Sequence, residues 1–318
     1  MISTTSKSAG TSTLGMYYPA VSVKKLGPLL VATDRTEASS PALRAAEVLN
    51  EAVKRGVTVL AVIEPLPLIV PEPTSLLQPL VISPELTEVV RSQTVNQVAA
   101  VGVRPASWTI EVEQGRPAKE IAFAARRHAA SLVVLGLSHH SMVDRLIDGD
   151  TALELLRESD TPVLLASKDF VSTPKFVVIG VDFSPESMEA ARASIPLLSP
   201  DCVIHLAHVR PSVTIFDGSG LWEDEYEKVA AKQLDDFKET LAAPPTMRVE
   251  TTILLGKPAT ALTEYANKID ADLIVSGTHG LGLMRRIFIG SVASGLLRKS
   301  ERSLLLVPKP THQQKKED

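Results

Sequence analysis

Apolar residues fall along this chain in short unbroken runs separated by amphipathic stretches. PLLVATD (28–34), VTVLAVI (57–63), LVVLG (132–136) and VLLA (163–166) are nearly continuous aliphatic segments, and so are FVVIGVD (176–182), VIHLAHV (203–209), LIVSG (273–277) and LLLV (304–307). Runs of this length predict strands buried on both faces, as in a parallel sheet. WTIEVEQG (108–115) and RVETTILLG (248–256) supply one further strand each. Helices are predicted at 39–55 and 184–198, where Ser184 followed by Pro185 is a start signal, then at 85–100 and 223–242. A further helix opens at each G-[RK]-P-A turn, and SVASGLLRKS (291–300) is a fourth. Strands alternating with helices predict an α/β fold with helices on both faces of the sheet.

The pattern occurs twice. GRPA at 115–118 returns as GKPA 141 residues later, and at the same offset SLVVLG falls on DLIVSG, Gly149 on Gly290, and VLLA on LLLV. Upstream, LLVATD and VVIGVD match at an offset of 148. The chain is a tandem duplication, read as a leader (1–25), a first domain (26–168), a second domain (175–309) and a tail (310–318).

The 2 Trp, 4 Tyr and 7 Phe among 318 residues predict an aliphatic core. The 33 basic side chains against 37 acidic ones give a net charge of −4, and acids slightly outnumber bases in both halves. Nucleic-acid binding needs clustered Lys and Arg, so that class is set aside. Cys202 is the only cysteine, which excludes an intramolecular disulfide, a Cys-cluster zinc site and a CxxC redox motif, and predicts a reducing, cytoplasmic setting. No apolar run reaches the ~18 residues of a membrane span, and the leader lacks the ~7–15-residue apolar stretch of a secretory signal.

In parallel sheets ligands bind beyond the C-terminal ends of the strands. There the second half carries Gly277, Gly280, Gly290 and Ser291. Two glycines let the backbone approach a ligand. After nine intervening residues, Gly290-Ser291 opens a helix whose free amides favour an anion, with the Ser291 hydroxyl as an added donor. The combination fits a polyphosphate. His128, His139 and His140 have no carboxylate at ligand spacing, and His205 and His208, three apart on a strand, point to opposite faces; no metal is expected.

The G-x2-G-x9-G-[ST] pattern after a fourth strand, with VDFSPES after the first and HVRP after the second, resembles the universal stress protein family, specifically its tandem-domain members. The likeness covers about 27–168 and 175–308. It implies five strands per repeat in the order 3-2-1-4-5 and ATP or another adenine nucleotide as ligand, with or without Mg²⁺. By resemblance the binding residues are Asp182 and Val209 for adenine and ribose, Gly277 and Gly280 for ribose and α-phosphate, and Gly290, Ser291 and Val292 for the outer phosphates. It further implies antiparallel pairing of fifth strands, here an intramolecular pseudo-dimer of the two halves, with homodimers possible through helical faces.

The first half departs from the motif: His139 stands for Gly280 and Asp150, read as a helix N-cap, for Ser291, with Asp148 nearby. A carboxylate at that cap occupies the amides a phosphate needs and repels it. The proline-rich loop 64–84 can cover the first-half pocket. Nucleotide is therefore expected in the second domain alone. The chain has no Walker loop, no SGGxDS-type loop, no GxGxxG fingerprint and no acid near the fourth-strand loop. The expected function is a nucleotide-binding stress or signalling module with no catalytic residues. The alternatives are a slow ATP hydrolase or related adenine-nucleotide enzyme, and a purely structural dimerisation module.

Overall fold

The computed structural model describes residues 26–53, 56–65, 83–102, 108–137, 144–210, 221–280 and 289–309. The leader, the tail, most of the loop 64–84, His139, His140 and residues 281–288 lie outside the described residues.

The first half contains β1 (Leu29–Thr33), α1 (Ser40–Val53), β2 (Val57–Ile63), α2 (Pro84–Ala100), β3 (Trp108–Gln114), α3 (Pro117–Arg127), β4 (Leu132–Gly136), α4 (Asp144–Glu158) and β5 (Val163–Ala166). The second half repeats this as β6 (Phe176–Gly180), α5 (Pro185–Ser194), β7 (Val203–Arg210), α6 (Leu221–Leu241), β8 (Arg248–Leu255), α7 (Pro258–Lys268), β9 (Leu273–Gly277), α8 (Ser291–Lys299) and β10 (Ser303–Val307). The strands form one ten-stranded sheet in the order β3-β2-β1-β4-β5-β10-β9-β6-β7-β8. Each half therefore has the order 3-2-1-4-5, parallel within itself.

The halves join where β5 meets β10 antiparallel, with Leu304 opposite Leu165, Leu305 opposite Leu164 and Leu306 opposite Val163. These leucines are buried on both faces of the sheet. Beside the ladder, the Ser167 backbone N–H donates to Ser303 Oγ (3.0 Å), and the two hydroxyls are also 3.0 Å apart in a buried setting. One apolar layer packs α1, α5 and α6 on one face, and a second packs α3, α4, α7 and α8 on the other.

The duplication extends to the backbone. Arg35 (φ 69) and Phe183 (φ 65) adopt the same left-handed conformation after β1 and β6, and Ala129 (φ 47) and Asp270 (φ 54) do so after α3 and α7. Gly115 (φ 149) and Gly256 (φ 124) stand at matching turns that side chains rarely enter. Ser184 caps α5 as expected, accepting from Ser187 N, with Pro185 in the first turn.

One expectation is corrected. Asp150 is not a helix N-cap: α4 starts at Asp144, so Asp148 and Asp150 lie inside the helix. The helix start that α8 has at Ser291 is displaced upstream in the first half.

Candidate functional site

A cavity of about 510 Å³ opens at the C-terminal ends of β6, β7 and β9. That volume is in the range of small-molecule sites. Asp182, Val209, Gly277, Gly280, Gly290, Ser291 and Val292, scattered over 110 positions from 182 to 292, all line it. Its apolar wall comes from Val181, Ala207, Val209, Pro258, Leu262, Ile289 and Val292.

Each part has a local cause. β6 ends in a tight turn in which Asp182 Oδ1 accepts from Ser184 N (3.0 Å) and Ser184 Oγ (2.5 Å). The other carboxylate oxygen lies against Gly280, where an added Cβ would stand 2.3 Å from Oδ2. Glycine lets the loop after β9 pass this carboxylate where it stands, and any Cβ there would make the carboxylate move. Gly290 is similarly constrained, because its Cβ would sit 2.9 Å from the Thr278 carbonyl oxygen. That carbonyl accepts from Gly290 N (2.7 Å), and Thr278 N donates to Val307 O (3.0 Å). The two ends of the loop are thereby pinned together and to β10.

Gly290 is the N-cap of α8 and has no side chain to turn back on the helix. The first backbone bond accepted by the cap is Ser294 N to Gly290 O (3.1 Å), so the amides of Ser291, Val292 and Ala293 have no acceptor within the helix. Amides and macrodipole together make this helix start an anion acceptor. The arrangement offers an apolar slot, a fixed carboxylate and an anion-accepting helix start within one cavity.

His208, Thr278, Ser187, Pro258 and Leu262 also line the cavity and were not singled out from the sequence as site residues. His208 is adjacent to Val209 in the HVRP segment, which was the available signal. Its Nδ1 is 2.8 Å from Val181 O and its Nε2 is 2.8 Å from the Tyr226 hydroxyl on α6. Burial pushes its imidazole below the ordinary value, against the pull of the Val181 carbonyl and Asp182. His205 faces the other side of the sheet, with Nδ1 3.1 Å from Tyr265 OH on α7. The two histidines are thus separated by the sheet. Among the described residues no group of three or more His, Cys, Asp or Glu converges as metal ligands.

In the first half, Asp34 is exposed and its Oδ1 accepts from Thr36 N (2.8 Å), repeating the Asp182 turn. Behind it, Thr33 Oγ1 donates to Gln97 Oε1 on α2 (2.6 Å), and Gln97 Nε2 donates to Thr36 O (2.6 Å). In the second half Val181 stands at the repeat position of Thr33 and has no hydroxyl with which to make such a bond. Cys202 is fully buried, and burial pushes its thiol up to about 12, which leaves it a small core residue. No helix among the described residues is long and apolar enough to cross a membrane.

Comparison with known proteins follows the same division. The universal stress protein family model matches residues 26–167 and again 175–308. A universal stress protein of Methanocaldococcus jannaschii is 32% identical over 142 residues, spanning 43% of this chain and 83% of the relative. One from Mycobacterium tuberculosis is 30% identical over 137 residues, 39% of this chain and 44% of the relative. A solved universal stress protein from Archaeoglobus fulgidus shares the fold across 90% of this chain and 98% of its own, with a TM-score of 0.60 at 20% identity. Two matched segments, each with its own 3-2-1-4-5 strand set, make this chain a tandem-domain member of the universal stress protein family.

Proposed function

We propose that the chain binds an adenine nucleotide, ATP in the first instance, in its second domain (175–309), as a stress-response or signalling module. The observation that carries this reading is that an apolar slot, the Asp182 carboxylate and the start of α8 line one cavity. The apolar walls suit the base. Asp182 and Val209 meet base and ribose, Gly277 and Gly280 the ribose and α-phosphate, and Gly290, Ser291 and the Val292 amide the outer phosphates. The glycines fit this role because a Cβ at Gly280 or Gly290 would collide with Asp182 or Thr278. Mg²⁺ would enter with the nucleotide, since among the described residues no group of three or more His, Cys, Asp or Glu converges to hold it.

The first domain (26–168) is silent toward nucleotide. Its fourth helix starts at Asp144, so the repeat position of Gly290 lies within a helix, and Asp148 and Asp150 put acidic residues at the positions of Ile289 and Ser291. Its role is architectural: β5 supplies the partner strand for β10, making an intramolecular pseudo-dimer. Two chains can associate further through helical faces. A lone buried cysteine suits a cytoplasmic protein.

Catalysis is at most slow. No Lys or Arg is among the described residues that line the cavity, and Asp182, its one carboxylate, is occupied by Ser184. Titration calorimetry of the full chain with ATP should give one site per chain, and Ser291→Asp should abolish binding by placing a like charge at the phosphates. Two equivalent sites per chain would overturn the silent first domain. Phosphate release approaching the ~1–100 s⁻¹ of kinases would favour an enzyme instead.

A further inference from the structure

We infer that His208 is a positioning residue: by holding the Val181 carbonyl it fixes the turn that aims Asp182 into the cavity. For its affinity readout this rests on the nucleotide reading above. A carbonyl only accepts, so the 2.8 Å contact to Val181 O assigns the proton to Nδ1. Nε2 of the neutral ring is then an acceptor, and Tyr226 on α6 donates its hydroxyl to it across 2.8 Å. Phe183, one residue beyond Asp182, takes a left-handed backbone (φ 65) that a bulky residue enters only when its surroundings enforce it. Its buried ring lies on the imidazole, with centroids 4.4 Å apart and planes 31° apart. Asp182 is thus bracketed, with Val181 held by His208 before it and Phe183 stacked on His208 after it.

The first half makes the same turn by other means. There Thr33 stands for Val181, and its Oγ1 accepts from Arg35 N (2.9 Å), holding the turn from within. Ala61 pairs with Thr33 in register, so alanine occupies the place of His208. Valine has no hydroxyl to give, and in the second half the neighbouring strand supplies the missing hold. Burial keeps the His208 ring neutral, which preserves a single tautomer. The groups facing the ring are Asp182 on the turn and Tyr226 on α6, with Arg210 further along its own strand.

The test uses the full chain, with His208→Asn and His208→Gln. An Asn amide reaches the position of Nδ1–H, whereas a Gln amide reaches that of Nε2. The Asn variant should keep ATP affinity within a few-fold, while the Gln variant should lose about tenfold, the scale of one ordinary hydrogen bond. Equal affinities for the two variants would overturn the inference, since a packing role does not distinguish them. In the wild-type chain without nucleotide, ring ¹⁵N shifts should report the Nδ1–H tautomer, and the Nε2–H tautomer would overturn the inference whatever binds. If wild-type protein takes up no ATP, the nucleotide reading fails by itself. The ring shifts, with the Asp182 amide resonance compared between the variants, then decide whether His208 holds the turn.

Discussion

Replacing Gly280 with alanine tests how far the cavity depends on the carboxylate beside it. The new Cβ would stand 2.3 Å from Asp182 Oδ2 and 3.5 Å from its Cγ. Ordinary nonbonded contacts begin near ~3.5 Å, so Oδ2 must retreat by about 1 Å. The retreat is not free, because Oδ1 is held by Ser184 N at 3.0 Å and Ser184 Oγ at 2.5 Å. A hydrogen bond to a charged group is worth about 1.5–3 kcal/mol. A carboxylate moved off its place loses the bond it is proposed to make to the nucleotide, and at about 1.4 kcal/mol per decade that corresponds to roughly 10–100-fold weaker ATP binding. The Gly280 backbone is outside the left-handed region, so alanine adds no backbone strain and the fold should survive. Calorimetry with ATP reads the affinity, and thermal unfolding checks that the variant is still folded. The double variant Asp182→Ala/Gly280→Ala should bind no worse than Asp182→Ala alone, since the clash then has no partner. Wild-type affinity in Gly280→Ala, or losses that simply add in the double variant, would refute the reasoning.

The equivalent of Gly277 in the first half behaves differently: a Cβ at Gly136 would meet the Ala38 carbonyl oxygen at 2.3 Å. Backbone cannot swing aside, so Gly136→Ala should cost about 1–3 kcal/mol of stability in denaturant melts while leaving ATP affinity unchanged; unchanged stability would contradict the packing described. Leu305→Pro removes a backbone donor from β10 opposite Leu164. The joint should loosen and calorimetric unfolding should split into two transitions, whereas a single cooperative transition in a folded variant would speak against the fifth strands as the joint. Stability should also fall on acidification. Burial lowers both His208, faced by Asp182 and Tyr226, and His205, faced by Glu250, Arg248 and Tyr265. The unfolded chain therefore takes up protons first, so stability is full above pH 6.5 and is lost as pH falls through the lowered folded values. Urea melts of His208→Gln should show a shallower fall below pH 6.5, and a slope identical to wild type would exclude His208 as a contributor.

Much of the architecture was legible because its signals are local. The aliphatic runs, the Ser184-Pro185 helix start and the repeated G-[RK]-P-A turns each act within a few residues, and the structure realises them as β1 to β10, α5, α3 and α7. The repeat transfers a helix boundary from 291 to 150, whereas α4 starts at Asp144. Helix termini answer to their own caps and loops, and the two halves differ there. His208 was weighed only as a metal ligand, because its partners are invisible along the chain: Val181 is 27 positions away and Tyr226 is 18.

The sequence by itself determined that the chain is duplicated, that each copy alternates buried strands with helices, and that the second copy alone keeps the full glycine and serine pattern. These are properties of spacing and residue type, so they survive without coordinates. Only the tertiary structure decided that Gly280 lies against the carboxylate of Asp182, 98 positions earlier, and that Thr278 pins the start of α8 to β10. It also fixed the register in which Leu305 meets Leu164, merging two sheets into one. Apolar strands specify burial but not their neighbours. Partner and register follow from which crossovers, helix faces and buried polar groups can be satisfied together, and that balance exists only in the folded chain.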